Sequence, residues 1–253
     1  MRRGGFAVSV PDGNGLPMRS STRDLLGVAI ACLYPFLAAL CYFVWLAGQP
    51  FMVPVYFVAK LVQFLFPIVW LVASGRRLEI GWSRRGLGLG GFSGLLIGTA
   101  SVTLYHCVLR DLTVFATLRL RVWEKVEQIG AATPGRFALM ALFISVVHSF
   151  LEEYYWRGYV FGELRRYTSL ATGAWLSGFA FALHHAIVLG VYFGAGGGWI
   201  LVVIFTLCVA VGGAFWAWLY ERQGSLLGPW LSHFFVDVSL MLVGWDAGRE
   251  HWT

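Results

Sequence analysis

The stretch Glu152-Glu153-Tyr154-Tyr155-Trp156-Arg157 lies at the end of an apolar run that is long enough to enter a membrane. It places three ionisable side chains within six residues. Each such side chain at the centre of a bilayer costs about 2.5–3.5 kcal/mol on insertion scales, so charges at that depth are usually paired or functional. The stretch therefore predicts a membrane fold with a catalytic or transport site inside it.

The composition of the whole chain agrees with a membrane protein. Of the 253 residues, 58% are apolar and 13% are charged, and the mean hydropathy of +0.69 is too high for a soluble domain of this length. The net charge of +6 comes from arginines in short clusters between apolar runs. That pattern argues against a nucleic-acid partner and favours topology signals beside a lipid bilayer.

Seven apolar runs are long enough to cross a bilayer, which takes about 20 residues. We therefore expect an all-α fold, a polytopic transmembrane helical bundle of about seven or eight spans. The runs lie at 25–47, 51–73, 87–109, 136–158, 170–190, 199–220 and 226–245.

The charges between the runs predict the topology. Arginine pairs follow the second and fourth runs. Uncharged turns follow the first and fifth runs, on the other side of the membrane, and this distribution favours a cytoplasmic N-terminus. We expect residues 1–24 to be a flexible cytoplasmic tail, 25–245 an integral membrane domain, and 246–253 a short polar tail. A bacterial cytoplasmic membrane is the expected location.

The segment 110–135 differs from the seven runs because it carries charges of both signs. Its apolar residues recur at steps of three and four, which is typical of an amphipathic helix that lies along the membrane interface or caps the bundle. These apolar positions are Leu112, Phe115, Leu118, Val122, Val126 and Ile129.

Polar clusters in three of the apolar runs indicate a site rather than isolated charges. They comprise His148, Glu152, Glu153 and Arg157 in the fourth run, His184 and His185 in the fifth, and His233 and Asp237 in the last. On a helix, residues four apart share a face, so Glu153 meets Arg157 while Glu152 meets His148. A carboxylate and histidines gathered from three helices suit the activation of water, and hence hydrolysis.

The three clusters resemble the motifs of the CPBP family of glutamic-type intramembrane proteases, which includes type II CAAX-prenyl endopeptidases and bacteriocin-processing, Abi-like relatives. The motif-bearing segments span about 140–240, and the resemblance implies that 25–245 is a protease domain with its motif core at about 136–245. The EExxxR motif matches Glu152, Glu153 and Arg157, the FxxxH motif matches Phe181 and His185, and the third motif matches His233 and Asp237.

The resemblance also implies a role for each matched residue. Glu152 acts as general base with His185 on a water molecule, and His233 with Asp237 stabilises the oxyanion formed at the scissile carbonyl. Arg157 and Glu153 brace the first motif. The implied substrate is a membrane-anchored protein or peptide, such as a lipidated C-terminus, a leader or a C-terminal sorting tail.

One departure from the family pattern and one question of register leave alternatives open. The family commonly has Asn where this chain has Asp237, and an ionised carboxylate repels an oxyanion, so Asp237 serves either as a protonated donor or as a group that orients His233. His184 also neighbours His185 and points about 100° away around the helix, so it is the alternative partner of the site.

The sequence also leaves alternatives for the metal content of the site and for the class of function. Glu152, His185 and His233 form a possible zinc site, but the chain lacks the HExxH helix that makes zinc specific, so we expect no cofactor. The main alternative function is a proton-coupled transporter that uses the same buried residues; a silent membrane scaffold is a third. Lys60, in the middle of the second run, has no assigned role.

Overall fold

The computed structural model describes residues 22–78, 80–194 and 197–251, so positions 1–21 of the expected tail lie outside the described residues. Over these ranges the chain is all-α, as predicted, and the described residues include no strand. Its helices are α1 (Thr22–Trp45), α2 (Met52–Ala73), α3 (Leu87–Leu109), α4 (Thr113–Gln128), α5 (Pro134–Leu164), α6 (Leu170–Phe193), α7 (Trp199–Gln223) and α8 (Leu227–Gly248).

Seven of these helices are long and apolar enough to cross a membrane, which confirms the seven predicted spans. The boundaries differ by a few residues. Helix α1 already begins at Thr22, inside the expected tail, and α8 continues to Gly248 before a 3₁₀ turn at Arg249–His251. Helix α5 runs to Leu164, six residues beyond the predicted end.

Helix α4 is the remaining helix, and it occupies the segment predicted to be amphipathic. Phe115 and Val126 from the predicted stripe are buried, whereas Leu112 and Ile129 at its two ends are exposed. Phe115 packs edge-on against Phe193 at the end of α6, with ring centroids 5.3 Å apart. The apolar face of α4 therefore caps the bundle beside α6.

Small residues let two pairs of helices approach closely. On α3, a Cβ added at Gly94 would lie 2.6 Å from the Ser232 carbonyl oxygen of α8, and one at Gly90 would lie 2.2 Å from that of Gly228. On α6, a Cβ at Gly178 would lie 2.6 Å from the Ala210 carbonyl oxygen of α7. Such contacts replace hydrophobic burial as the source of helix association inside a bilayer.

An ionic cluster joins the end of α5 to α1 and to the segment after α2. Arg76 binds both carboxylate oxygens of Glu163, at 2.5 and 2.8 Å. Arg166 binds Glu163 at 2.8 Å and lies 3.6 Å from Asp24. The hydrogen bond with Glu163 is the main reason that the pKa of Arg76 is raised. This cluster fixes the end of the helix that carries the glutamate pair.

The glutamate pair lies between two wide helical turns. Helix α5 is π-helical at Phe143–His148 and again at Tyr154–Phe161, and the intervening turn Ser149–Glu153 is α-helical. Helices α1 and α3 also end in π-helical turns, at Cys41–Trp45 and Tyr105–Leu109. Single π turns inside helices are rare and are frequent at functional sites.

Candidate active site

The Glu152 carboxylate is buried among imidazole rings. Its Oε1 lies 3.2 Å from His148 Nε2, one turn earlier on α5, and 3.5 Å from His184 Nε2 on α6. Its Oε2 lies 3.9 Å from His233 Nε2 on α8. Only 3% of the residue is exposed. The three predicted clusters therefore meet at this carboxylate.

Glu153 faces a different set of partners, as the helical spacing predicted. Its Oε1 lies 3.0 Å from Arg157 Nη1 and accepts a 2.8 Å hydrogen bond from His233 Nδ1. Glu153 and Arg157 are both fully buried. Glu153 therefore holds the third-motif histidine as well as the arginine.

Arg157 extends the network to α6 and α7. Its Nη2 donates to the Gly213 carbonyl oxygen at 3.1 Å. Its guanidinium stacks over Phe181 at 4.8 Å and over Trp216 at 5.1 Å from the ring centroids. A planar guanidinium suits this combination of carboxylate pairing and aromatic stacking, which an ammonium group matches poorly.

The His233 ring has partners at both of its nitrogens and a tryptophan stacked on its face. The Trp216 ring stacks on it with a centroid distance of 4.2 Å and an angle of 18°. The Trp216 indole N–H donates to Ser232 Oγ at 3.0 Å, which fixes the tryptophan. With Nδ1 bonded to Glu153, Nε2 points towards Glu152 and lies 3.6 Å from Asp237 Oδ1.

The two adjacent histidines of α6 have distinct surroundings. His185 Nδ1 lies 3.0 Å from the Phe181 carbonyl oxygen, and because a carbonyl only accepts, Nδ1 carries the proton and Nε2 keeps a lone pair. His184 stacks on Trp156 with an angle of 2° and directs Nε2 at Glu152. His184 is thus the closer contact of the carboxylate, while His185 has the free basic nitrogen.

The structure brings every sequence-predicted site residue into this one network. The members are His148, Glu152, Glu153, Arg157, Phe181, His184, His185, His233 and Asp237. Sequence reasoning missed Trp216, because a tryptophan in an apolar run carries no positional signal of its own. It also gave His148 a lesser part than its direct contact with Glu152 indicates.

One group in the described part of the chain has ligand atoms close enough for a metal ion. Glu152, His184 and His185 present one atom each within 4.8 Å of one another. His233, which the sequence placed in the possible zinc set, is not in this group, and its Nδ1 is engaged by Glu153. Two imidazoles and a carboxylate suit zinc chemically, so the donor set permits a metal without requiring one.

Residues 134–239 match the family model described as type II CAAX prenyl endopeptidase Rce1-like. This segment is therefore similar to the CAAX protease family. It covers α5 to α8 up to Ser239 and so contains all the residues of the network around Glu152. No curated protein and no solved structure matches the chain.

The match over this segment and the seven candidate spans agree with an integral membrane protein that is similar to a family of endopeptidases. They do not favour the transporter alternative.

Proposed function

We propose that the chain is a glutamic-type intramembrane endopeptidase in which Glu152 activates water to hydrolyse a peptide bond of a membrane-associated protein or peptide. The observation that carries the proposal is the convergence of three helices on the Glu152 carboxylate, within a segment that matches a family of endopeptidases.

Glu152 is the group best placed to take a proton from water. In the proposed reaction, an O–H bond of water breaks as its proton moves to Glu152, and the water oxygen bonds to the scissile carbonyl carbon. His185 assists by accepting the second hydrogen bond of the water at Nε2, since its Nδ1 donates to Phe181. Contacts with His148 and His184 orient the carboxylate. A positioned general base contributes about 10²–10⁴-fold in rate.

His233 is the proposed donor to the oxyanion. The carbonyl π electrons move to oxygen as the new bond forms. His233, as an imidazolium with a proton on each ring nitrogen, donates to that oxygen from Nε2 and to Glu153 from Nδ1. Asp237, 3.6 Å from Nε2, orients the ring or donates when protonated. The C–N bond then breaks, and the proton held by Glu152 moves to the leaving nitrogen. One preorganised oxyanion donor contributes about 10²–10³-fold.

The proposed mechanism uses no metal. The test compares the purified protein in proteoliposomes with two variants, Glu152→Gln and Glu221→Gln, on a panel of membrane-anchored peptides with and without a zinc chelator. Glu221 is a matched control because it pairs with Arg165 at the end of α7, away from the network. Glutamine preserves shape at both positions and removes the carboxylate charge.

We expect cleavage by the parent and by Glu221→Gln, and a loss of at least about 100-fold in kcat/KM for Glu152→Gln, with or without chelator. Equal cleavage by parent and Glu152→Gln contradicts the base assignment. Loss of parental activity in chelator, with recovery on addition of zinc alone, contradicts the metal-free mechanism and points to Glu152, His184 and His185 as ligands.

A further inference from the structure

A groove with a volume of about 470 Å³ lies on the outside of the bundle, along the contact between α6 and α7. Its floor consists of Ala174 and Ala214, which are both buried, and its walls consist of Trp175, Phe215 and Trp218. The surface is concave here because two small alanines lie between aromatic side chains. The volume is within the range of about 300–1,000 Å³ that is usual for small-molecule sites.

The groove opens towards lipid. It lies on α6 and α7, which are two of the seven helices long and apolar enough to cross a membrane. All of its lining side chains are apolar or aromatic, and Trp175 and Val211 are 44% and 55% exposed. In a bilayer the matching occupant is a hydrocarbon chain. Such a chain gains from close contact with the walls rather than from leaving water.

Arg222 extends the wall of the groove that α7 forms. Four residues of α7 follow one another at steps of four, three and four and so share a face: Val211, Phe215, Trp218 and Arg222. The Arg222 guanidinium lies 5.5 Å from the centroid of the Trp218 ring. Arg222 is in the last turn of α7, about 16 Å along the helix axis from Val211. The face therefore runs from a cation at the end of the span to apolar residues inside the membrane.

The charge of Arg222 is not balanced by a carboxylate in the described part of the chain, where its recorded contact is the Trp218 ring. The neighbouring Glu221 pairs with Arg165 at 2.9 Å instead. A planar guanidinium with several N–H donors suits a phosphate group, which it can bind through two parallel hydrogen bonds.

The surroundings of Arg222 are basic. The segment between α2 and α3 carries four arginines. It reaches the same end of the bundle as α7, because the Ser83 N–H donates to Ser225 Oγ, two residues after the end of α7, at 3.0 Å. Basic pockets beside membrane-spanning helices bind anionic lipid headgroups.

We propose that the groove between α6 and α7 binds an acyl chain of an anionic glycerophospholipid, with the headgroup phosphate on Arg222. Apolar walls match the chain, and the unbalanced cation at the end of the groove matches the anion. A second copy of the chain fits less well. A symmetric interface would bring the same unbalanced cation from both copies to one surface, where like charges repel.

The experiment measures binding of single lipids to the full chain in detergent micelles by native mass spectrometry. Dioleoyl phosphatidylglycerol carries the anionic headgroup, and dioleoyl phosphatidylcholine has the same chains without net charge. The ratio of their two Kd values is the readout. Inorganic phosphate is added as a competitor in a separate series, and the oligomeric state is read from the same spectra.

Two variants change the groove, and each has a matched control. Arg222→Gln removes the cation, and Arg85→Gln removes an exposed arginine at the same end of the bundle, outside the groove. Ala171→Trp fills the groove from an exposed position that lines it. Leu176→Trp adds the same side chain at a position on α6 that is 47% exposed and lies outside the groove.

We expect phosphatidylglycerol to bind at least about fivefold more tightly than phosphatidylcholine, which corresponds to one cation beside a lipid headgroup. The ratio should fall to near one in Arg222→Gln and persist in Arg85→Gln. Ala171→Trp should weaken the binding of both lipids, because their chains are the same, and Leu176→Trp should leave both unchanged.

Several results would overturn the inference. They are equal Kd values of the two lipids for the parent, a preference that persists in Arg222→Gln, and an equal loss in Arg222→Gln and Arg85→Gln. Unchanged affinity in Ala171→Trp places the acyl chain elsewhere. Displacement of the lipid by equimolar inorganic phosphate identifies a site for free anions, and a dimer that Ala171→Trp dissociates identifies a second copy as the occupant. The titration contains no peptide, so its result is independent of the proposed endopeptidase activity.

Discussion

Replacing Arg157 with methionine tests whether the buried ion pair supports the geometry of the site. The substitution keeps an unbranched apolar stem and removes the guanidinium. It breaks the 3.0 Å contact with Glu153 and the 3.1 Å hydrogen bond to the Gly213 carbonyl oxygen. Glu153 then remains fully buried with His233 as its one described hydrogen-bond donor.

The expected cost follows from burial. Both side chains of the pair are 0% exposed, so water does not replace the lost partner. Removal of one member of a buried pair costs about 3–5 kcal/mol, most of it from the charge left without compensation. We expect Arg157→Met to lower the free energy of unfolding by this amount. The measurement is a reversible denaturation titration in mixed micelles, followed by circular dichroism.

A double variant separates the pair from the packing around it. Glu153→Gln combined with Arg157→Met removes both charges, so it should be more stable than Arg157→Met alone, with a coupling energy of at least about 1 kcal/mol. A loss below about 1 kcal/mol in Arg157→Met refutes the reasoning, as does strict additivity of the two substitutions. Either outcome means that the pair is solvated or that the bundle relaxes around the change.

Two further predictions concern α8. Gly94→Ala should lower the free energy of unfolding by about 1–3 kcal/mol in the same titration, because its Cβ would lie 2.6 Å from the Ser232 carbonyl oxygen. Gly91→Ala is the control and should be nearly neutral, because the nearest neighbour of its Cβ would lie 3.5 Å away. Equal effects of the two substitutions contradict the close packing of α3 against α8. Asp237→Asn should keep at least about one-tenth of the parental kcat/KM, because an amide also donates to an oxyanion. Asp237→Leu should lower kcat/KM by about 10²–10³-fold. Similar losses in both variants argue against a hydrogen-bonding role for Asp237.

The membrane fold was predictable because its signals are local. Each span is visible in the sequence as a run of about 20 apolar residues. The apolar residues of α4 recur at steps of three and four, which is the period of an amphipathic helix. The residues at which the helices begin and end were less predictable. The fourth run was expected to end at 158, but Glu163, beyond that end, is buried and paired with Arg76, and the helix continues to Leu164.

The sequence predicted which residues belong to the candidate site, but not which of them contact one another across helices. Spacing of four residues along one helix gave the pairs His148 with Glu152 and Glu153 with Arg157. Contacts between helices depend on how each helix is rotated against its neighbours, which spacing does not encode. The hydrogen bond from His233 to Glu153 is of this kind.

The same limit explains why His184 and His185 were ambiguous. Adjacent positions on a helix differ by about 100°, and the FxxxH spacing selects His185 without saying where its ring points. In the structure His184 contacts Glu152, and His185 is turned by its bond to Phe181. Both rings therefore belong to the site with different tasks, one holding the carboxylate and the other offering a free nitrogen.

Glu152 and Glu153 have different contacts, and in the proposed mechanism they have different roles. Glu153 has its charge satisfied by Arg157 and His233, so it is a structural anion that ties α5 to α8. Among the described residues, Glu152 has polar contacts with the imidazoles of His148, His184 and His233, which accept or donate protons readily, as the proposed base requires. Because His233 contacts both residues, any shift of the anchored glutamate also moves the proposed oxyanion donor relative to the base. In the proposed mechanism, stability and catalysis are therefore coupled through this one histidine.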